Sequence, residues 1–228
     1  MTELDRFPIW DRWGELTKFV MAARTAMRME ARRWSELNIK DPETTIIVDP
    51  TGNTKFQTAV PAYIAALAHE HPLNAMVTQS YFGLLEDHAK EVVRRLNRLG
   101  RINPNKFPYL KGVKDVDTKA SKIISNGGIE IWGEALLGIV GGSWSKSPSG
   151  KAIVVEASIV RNCTVHGSSV ATEAMHNRMQ NVGEKFPWKV GDEIVLKETH
   201  VTRYVSGMRK LAQALANGVD ELSKARAK

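Results

Sequence analysis

Two long stretches of the chain repeat apolar residues at intervals of three and four positions. The first runs from Trp13 to Leu37 and the second from Asn74 to Leu99. Because this spacing brings the apolar side chains onto one side of a helix, both stretches are predicted to be long amphipathic helices. Gly100 follows the second stretch as a stop signal. The apolar side of the first helix either joins the core or pairs with a second chain, and the sequence is compatible with both.

Three further stretches extend the helical pattern. Helices are predicted over Ile129–Ile139, which is followed by Gly141 and Gly142, and over Val201–Leu222. The stretch Lys151–Asn177 contains a run of β-branched residues that suits a buried strand equally well. Its length favours a helix, because buried strands are shorter than this.

Segments rich in Pro, Gly and Lys separate the predicted helices. Residues 41–56 are predicted to form a short hairpin or ordered loop, and residues 101–115 and 143–150 are predicted to be loops. Trp188–Leu196 is predicted to form a turn and a short strand. The whole pattern predicts an all-α protein, a four- to five-helix bundle with short β-hairpin-like insertions.

Composition indicates the class of protein and the cellular compartment. The 228 residues, 43% hydrophobic and 25% charged, are typical of a soluble globular protein of one large or two small domains. The weakly apolar stretches Pro61–Ala68 and Ala135–Gly142 are much shorter than the roughly 20 residues that cross a bilayer. A single cysteine, Cys163, excludes an intramolecular disulfide, and the first ten residues lack a secretory signal. A cytoplasmic protein without a membrane segment is predicted.

Positive charge is concentrated in one part of the chain. The formal net charge is +7, and the segment Arg94–Lys122 has nine Lys and Arg residues against only Asp115 and Asp117. Such a segment is either a solvated face, in which arginines stabilise a helix carboxyl end, or a surface that follows the phosphates of a nucleic acid. Charge alone does not distinguish RNA from DNA or from a membrane surface; if the partner is RNA, the residues predicted to bind it are Arg94, Arg95, Arg98, Arg101 and Lys106.

The run Arg161-Asn162-Cys163-Thr164-Val165-His166 combines residue types that suit phosphate chemistry. An imidazole exchanges protons near neutral pH, and a guanidinium binds phosphate oxygens. Asn162 and His166, four residues apart, share one side of a helix. Arg161 and His166 are about 140° apart on an ideal helix, so the length of arginine or a helix irregularity must close that angle.

This run, within the sequence VRNCTVHG, resembles the R-N-x-x-x-H signature of the HEPN superfamily, the higher eukaryotes and prokaryotes nucleotide-binding domains. Members are helical bundles, and many are metal-independent ribonucleases of toxin–antitoxin and anti-phage systems. Trp132 and Trp144 before the motif, and a GDEIVL turn with a final helix after it, add to the resemblance. The family pattern covers residues 74–224 of a single domain over 1–228, and leaves 1–70 unassigned.

The resemblance implies a homodimer in which two motifs face each other in one cleft. Arg161 and His166 would be the principal catalytic pair, with Asn162 orienting His166 or binding a phosphate oxygen. Attack by the ribose 2′-OH would give 2′,3′-cyclic phosphate and 5′-OH ends, which makes the enzyme selective for RNA. The family also implies no metal and no cofactor, a toxin or defence role, and an antitoxin or defence-system protein as partner.

Two other functions remain open at this point. One is a catalytically silent HEPN-like interaction or nucleotide-binding subunit of a larger complex, and the other is a DNA or membrane-surface binder that uses only the basic segment 94–122. His69 and His71, two positions apart, are not expected to bind one metal ion together. Cys163 is expected to be a small buried residue, and Glu156 to be solvated or ion-paired.

Overall fold

The computed structural model describes residues 7–48, 57–103, 107–147, 150–167 and 169–227. By their contacts these residues form two compact units. Gly14–Leu73 is one unit, and the residues up to Trp13 together with those from Asn74 onward form the other. The single domain over 1–228 stays a prediction.

The Gly14–Leu73 unit contains most of a long helix, a strand pair and a short helix. Helix α1 spans Ile9–Glu36 and enters the unit at its second turn. Strand β1 (Ile46–Val48) pairs antiparallel with β2 (Gln57–Ala59), and helix α2 (Val60–Ala68) follows directly, with a proline in its first turn. The hairpin or loop predicted at 41–56 is thus present in part: β1 lies within those bounds, β2 begins just after them, and residues 49–56 lie outside the described residues.

Six helices build the larger unit, and one of them occupies its centre. They are α3 (His71–Arg98), α4 (Val116–Ser125), α5 (Ile129–Ile139), α6 (Lys151–Val165), α7 (Glu173–Gln180) and α8 (Glu198–Ala227). Helix α6 packs against α5, α7 and α8. Val154, Val155 and Val160 of its β-branched run are fully buried, so residues that suit a strand here form a helix surrounded by others.

The structure confirms an all-α architecture and the helices predicted at 13–37, 74–99, 129–139 and 201–222. It corrects the prediction of one helix over 151–177. Helix α6 ends at Val165, residues 166 and 167 form a turn, and α7 begins only at Glu173. Gly167 has φ +69°, a left-handed conformation that glycine adopts readily and that ends helices.

Two short helices, α2 and α4, are absent from the sequence prediction, and the described part of the chain has more α-helices than the four or five predicted. Helix α4 begins where Asp115 accepts a hydrogen bond from the Thr118 backbone N–H at 2.6 Å. The strand predicted within 188–196 is only an isolated bridge between Val170 and Glu193. Among the described helices, none combines the length and the apolar character needed to cross a bilayer.

A buried carboxylate joins helices α6 and α8 in the larger unit. Glu156 of α6 accepts a hydrogen bond from the Tyr204 hydroxyl of α8 at 2.5 Å and pairs with Arg203. Burial raises the pKa of Glu156, although the hydrogen bond from Tyr204 and the charge of Arg203 act in the opposite direction. Glu156 is therefore ion-paired, as one of the two sequence expectations stated, and it is buried as well.

Helix α3 carries a buried histidine. The Nε2 atom of His88 lies 3.0 Å from the Ala212 carbonyl oxygen of α8, and the Phe7 ring contacts the imidazole edge to face at 4.7 Å. Within the described residues its Nδ1 atom has no hydrogen-bond partner. Burial, with a smaller contribution from the charge of Arg95, lowers the pKa of His88 to about 4. The folded protein therefore holds this ring neutral.

This histidine predicts a pH-dependent loss of stability. The unfolded chain binds a proton near the ordinary pKa of 6.5, whereas folded His88 binds it only near 4. The contribution of the neutral ring is complete above pH 6.5 and is lost as the pH falls towards 4. We expect up to about 3 kcal/mol of the unfolding free energy to disappear over that range. His88→Gln, which can still donate to the Ala212 carbonyl, should lose this part of the slope in urea titrations at successive pH values. An unchanged slope in the variant would contradict the assignment.

Candidate active site

The motif predicted from the sequence lies at the carboxyl end of α6. Arg161 and Asn162 belong to the last turn of the helix, and His166 is the first residue after it, with its backbone N–H bonded to the Asn162 carbonyl at 3.0 Å. Arg161 and Asn162 are half-buried, whereas His166 is exposed. The imidazole is therefore open to solvent, whereas the guanidinium is partly enclosed.

Helix α3 supplies the contacts that hold Arg161. Its guanidinium lies 5.6 Å from the centre of the Phe82 ring, and its Nη2 atom is 3.5 Å from a carboxylate oxygen of Glu86. The Nη1 atom donates a hydrogen bond to the Asn162 side-chain oxygen at 3.0 Å. Arg161 is thus oriented by an aromatic face, a carboxylate and the neighbouring amide.

The carboxyl group of Glu86 is poorly solvated. Burial raises its pKa, and the positive charges of Arg161 and Lys90 only partly oppose this effect. At 3.5 Å its contact with Arg161 is longer than a charge-assisted hydrogen bond of about 2.8 Å. The guanidinium therefore retains capacity for a second, more tightly bound anion.

Two cavities open beside the motif. The first, of about 420 Å³, is lined by Arg161 together with Phe82, Glu86 and Ser158. The second, of about 330 Å³, is lined by His166. Asn162 and Arg178 line both cavities. Within one chain, Arg161 and His166 thus face different spaces, as expected from their angular separation of about 140° on the helix.

Arg178 of α7 is a site residue that the sequence reasoning missed. It forms two hydrogen bonds of 2.7 Å with the carboxylate of Glu130 of α5, and a third of 3.1 Å with the Ser158 hydroxyl of α6. Burial acts to raise the pKa of Glu130, but the bonds from Arg178 lower it overall. Arg178 and Glu130 are 48 positions apart, so no local spacing could have revealed the pair.

The arginines at the end of α3 are engaged in ion pairs. Arg94, Arg95 and Arg98 all lie within 3.4 Å of the Glu91 carboxylate, and Arg94 also contacts Asp117 at 2.6 Å. Hydrogen bonding to Asp117 raises the pKa of Arg94. Three of the predicted RNA-binding residues thus share two carboxylates, which reduces the charge they present to solvent.

These arginines also lie on a different side of α3 from the motif contacts. Glu91 follows Glu86 by five residues, which is about 140° around the helix. Arg95 lies 3.8 Å over the Phe7 ring, away from Arg161. Arg101 is exposed just beyond α3, and Lys106 is outside the described residues. The structure does not join Arg94, Arg95 and Arg98 to Arg161 in one surface.

The structure also places the remaining sequence candidates, Cys163, His69 and His71. Cys163 is buried, as expected, with its sulfur 3.7 Å from that of Met175, and burial raises the pKa of the thiol. His69 ends α2 and His71 begins α3, with ring centres 6.0 Å apart. Across the described ranges, no three His, Cys, Asp or Glu side chains form a group that could hold a metal ion.

Comparison with known proteins gives no relative. No protein-family model, curated protein or solved structure matches the chain. The HEPN resemblance therefore depends on the Arg161–His166 run and the weaker sequence features around it.

The Arg178 contacts predict a stability effect that a surface ion pair would not give. Arg178→Ala leaves the Glu130 carboxylate, about a quarter exposed, without its partner and should cost about 1–3 kcal/mol of unfolding free energy. Arg94→Ala is a matched control, because its short pair is with Asp117, which is 72% exposed, while its less exposed partner Glu91 keeps Arg95 and Arg98. The control should cost less than about 1 kcal/mol. Equal losses in chemical denaturation would show that the pair does not join α5 and α7 as described.

Proposed function

We propose that this chain is a metal-independent endoribonuclease of HEPN type, with Arg161 and His166 as its catalytic pair. The observation that carries the proposal is an exposed imidazole five residues after an oriented guanidinium, each lining one of two cavities that share Asn162 and Arg178. These are the groups that phosphodiester cleavage by an internal hydroxyl requires. Cleavage takes place in the cytoplasm.

The reaction breaks one bond and forms one. The ribose 2′-oxygen attacks phosphorus while an imidazole accepts the 2′-OH proton, and the bond from phosphorus to the 5′-oxygen breaks as an imidazolium donates a proton to that oxygen. The products are a 2′,3′-cyclic phosphate and a 5′-hydroxyl, and no water is consumed. Arg161 binds the non-bridging oxygens as their charge grows, and proton transfer contributes about 10²–10⁴ in rate.

A homodimer completes the proposed site. The reaction needs a base and an acid, whereas one chain presents a single His166 in its motif, on a different cavity from Arg161. Two motifs facing each other across a two-fold axis supply two imidazoles and two guanidinium groups to one phosphate. Two-fold dimers are also the commonest oligomers.

Asn162 and Arg178 line both cavities, and both contribute to this proposed arrangement. The Asn162 side-chain oxygen accepts from Arg161, which leaves its amide N–H groups for a phosphate oxygen or for His166. Arg178, although paired with Glu130, adds a second positive charge that borders both spaces. Asn162 is thus proposed to orient the site, and Arg178 to make it attractive to an anion.

The first test removes the imidazole. His166→Ala should lower cleavage of total RNA in EDTA by about 10²–10⁴ relative to the parent protein, because the proton-transferring group is absent. The parent is expected to arrest growth when expressed in cells, and His166→Ala should relieve that arrest. His69→Ala, another exposed histidine, is the matched control and should cleave as the parent does.

A parent protein that neither cleaves RNA nor slows growth would refute the ribonuclease proposal, as would a His166→Ala variant that cleaves equally well. A toxin or anti-phage role, with an antitoxin or defence-system protein as partner, is proposed with the activity.

One observation favours a silent HEPN-like interaction or nucleotide-binding subunit instead. Arg161 already has an anionic neighbour in Glu86, which suits a structural arginine.

The basic residues at the end of α3 and just after it predict a separate effect on binding. Arg98 is 69% exposed and Arg101 is exposed, so these two remain the best phosphate contacts among the predicted set. Changing both to Gln should reduce the slope of log affinity against log salt for single-stranded RNA by about 1.4. Arg209→Gln with Lys210→Gln removes the same charge from exposed positions on α8 and is the control. A slope equal to that of the parent would exclude Arg98 and Arg101 from the RNA surface.

A further inference from the structure

One side of α1 carries a narrow apolar stripe that the described chain leaves uncovered. Phe19 is 66% exposed and Met29 is 67% exposed, and between them Ala22 and Ala26 are exposed too. The intervals between these four residues are three, four and three positions. This is the spacing of the seam along which two helices pair, and it spans about 15 Å of helix. We call these four residues the Phe19–Met29 face.

Opposite charges lie at the two ends of this face. Glu15 precedes Phe19 by four residues and Arg33 follows Met29 by four, and both are exposed. The sequence of intervals from Glu15 to Arg33 is four, three, four, three, four, which is the same in both directions. A second helix of identical sequence, laid antiparallel, therefore places Glu15 opposite Arg33, Phe19 opposite Met29, and Ala22 opposite Ala26.

The orientation follows from the charges. A parallel pair would set Glu15 against Glu15 and Arg33 against Arg33, which is unfavourable at both ends. The antiparallel pair has two Glu15–Arg33 contacts related by a two-fold axis, as a self-complementary interface requires. The alanines near the axis let the two helices approach to about 8 Å, the short end of the normal range.

One like-charge approach occurs in this arrangement. Lys18 comes near Arg32 of the second copy, on the flank of the seam. Arg32 already forms a 2.7 Å ion pair with Glu36 one turn along its own helix, which offsets this repulsion. The Lys18–Arg32 approach lies outside the apolar contacts and the end pairs.

We propose that the Phe19–Met29 face binds a second copy of this chain, helix antiparallel to helix. All six residues of the contact belong to the Gly14–Leu73 unit, so the pairing does not depend on the proposed ribonuclease reaction. A single helix pair buries less area than a standard interface, so the dimer dissociates in the micromolar range.

Sedimentation equilibrium of the full chain over a micromolar concentration series tests this pairing. The parent should change from the monomer mass of 25.4 kDa to twice that mass as the concentration rises. Glu15→Arg and Arg33→Glu should each weaken association by about tenfold or more, because each turns two attractive contacts into repulsive ones. The double variant E15R/R33E restores both contacts with reversed signs, and its affinity should return to within about threefold of the parent.

A second pair of variants tests the apolar seam. Phe19→Ser with Met29→Ser should lower the association constant by at least as much as the charge variants do, and any dimer that remains would be formed by the motif surfaces. Met21→Ser is the matched control, because Met21 is 65% exposed on the same helix but lies outside the seam, and it should dimerise as the parent does. Circular dichroism of each variant confirms that the helices remain folded, since all substituted residues are exposed.

Two results would overturn the proposal: a parent that stays monomeric at every concentration, or a dimer that persists unchanged in F19S/M29S. The second result would assign dimerisation to another surface, such as one containing the motif. Loss of RNA cleavage in all preparations, with E15R/R33E still rescuing dimerisation, would refute the ribonuclease and leave this interface standing. Cleavage by a protein that never dimerises would refute this interface and leave the ribonuclease without its proposed assembly.

Discussion

The burial of α6 is the constraint on which the rest of the larger unit depends. A helix that packs against α5, α7 and α8 is buried from Val154 to Val160, so the polar groups within that stretch are paired and the solvent-accessible ones lie at its ends. At the carboxyl end the chain turns at His166 and Gly167, and the last helical turn emerges from the core. The candidate site lies where the last turn of α6 leaves the core and becomes accessible to solvent.

Two arginine–glutamate pairs border this end of α6, and they differ in strength for a geometrical reason. Arg178 presents a planar fork to Glu130 and forms two bonds of 2.7 Å, whereas Arg161 meets Glu86 at a single 3.5 Å contact. The bidentate pair lowers the pKa of its carboxyl group, and the weaker pair leaves its carboxyl group with a raised pKa. One arginine is thus a structural clamp, and the other is available for a ligand.

Much of the fold could be predicted from the sequence, because the long helices bury a continuous apolar stripe. Helices α1, α3, α5 and α8 follow from that periodicity. The break after Val165 was missed because the length of the stretch was given more weight than its turn signals, namely Gly167, Ser168 and Ser169, with Thr172 as the N-cap residue of α7. Arg161, Asn162 and His166 were found through a local motif. Glu86 and Arg178 were missed, because tertiary packing alone brings α3 and α7 to α6.

The turn at Gly167 has a consequence for how the site could change. Its φ of +69° fixes the direction in which the chain leaves α6, while no other atom lies within 4 Å of where a Cβ would be. A larger residue there would meet no steric clash, and its whole penalty would be backbone strain. The imidazole next to it would be re-aimed as the strain relaxed. In the proposed ribonuclease, the backbone conformation of Gly167 thus sets where the His166 imidazole points, and a substitution of Gly167 would lower activity while every polar group is retained.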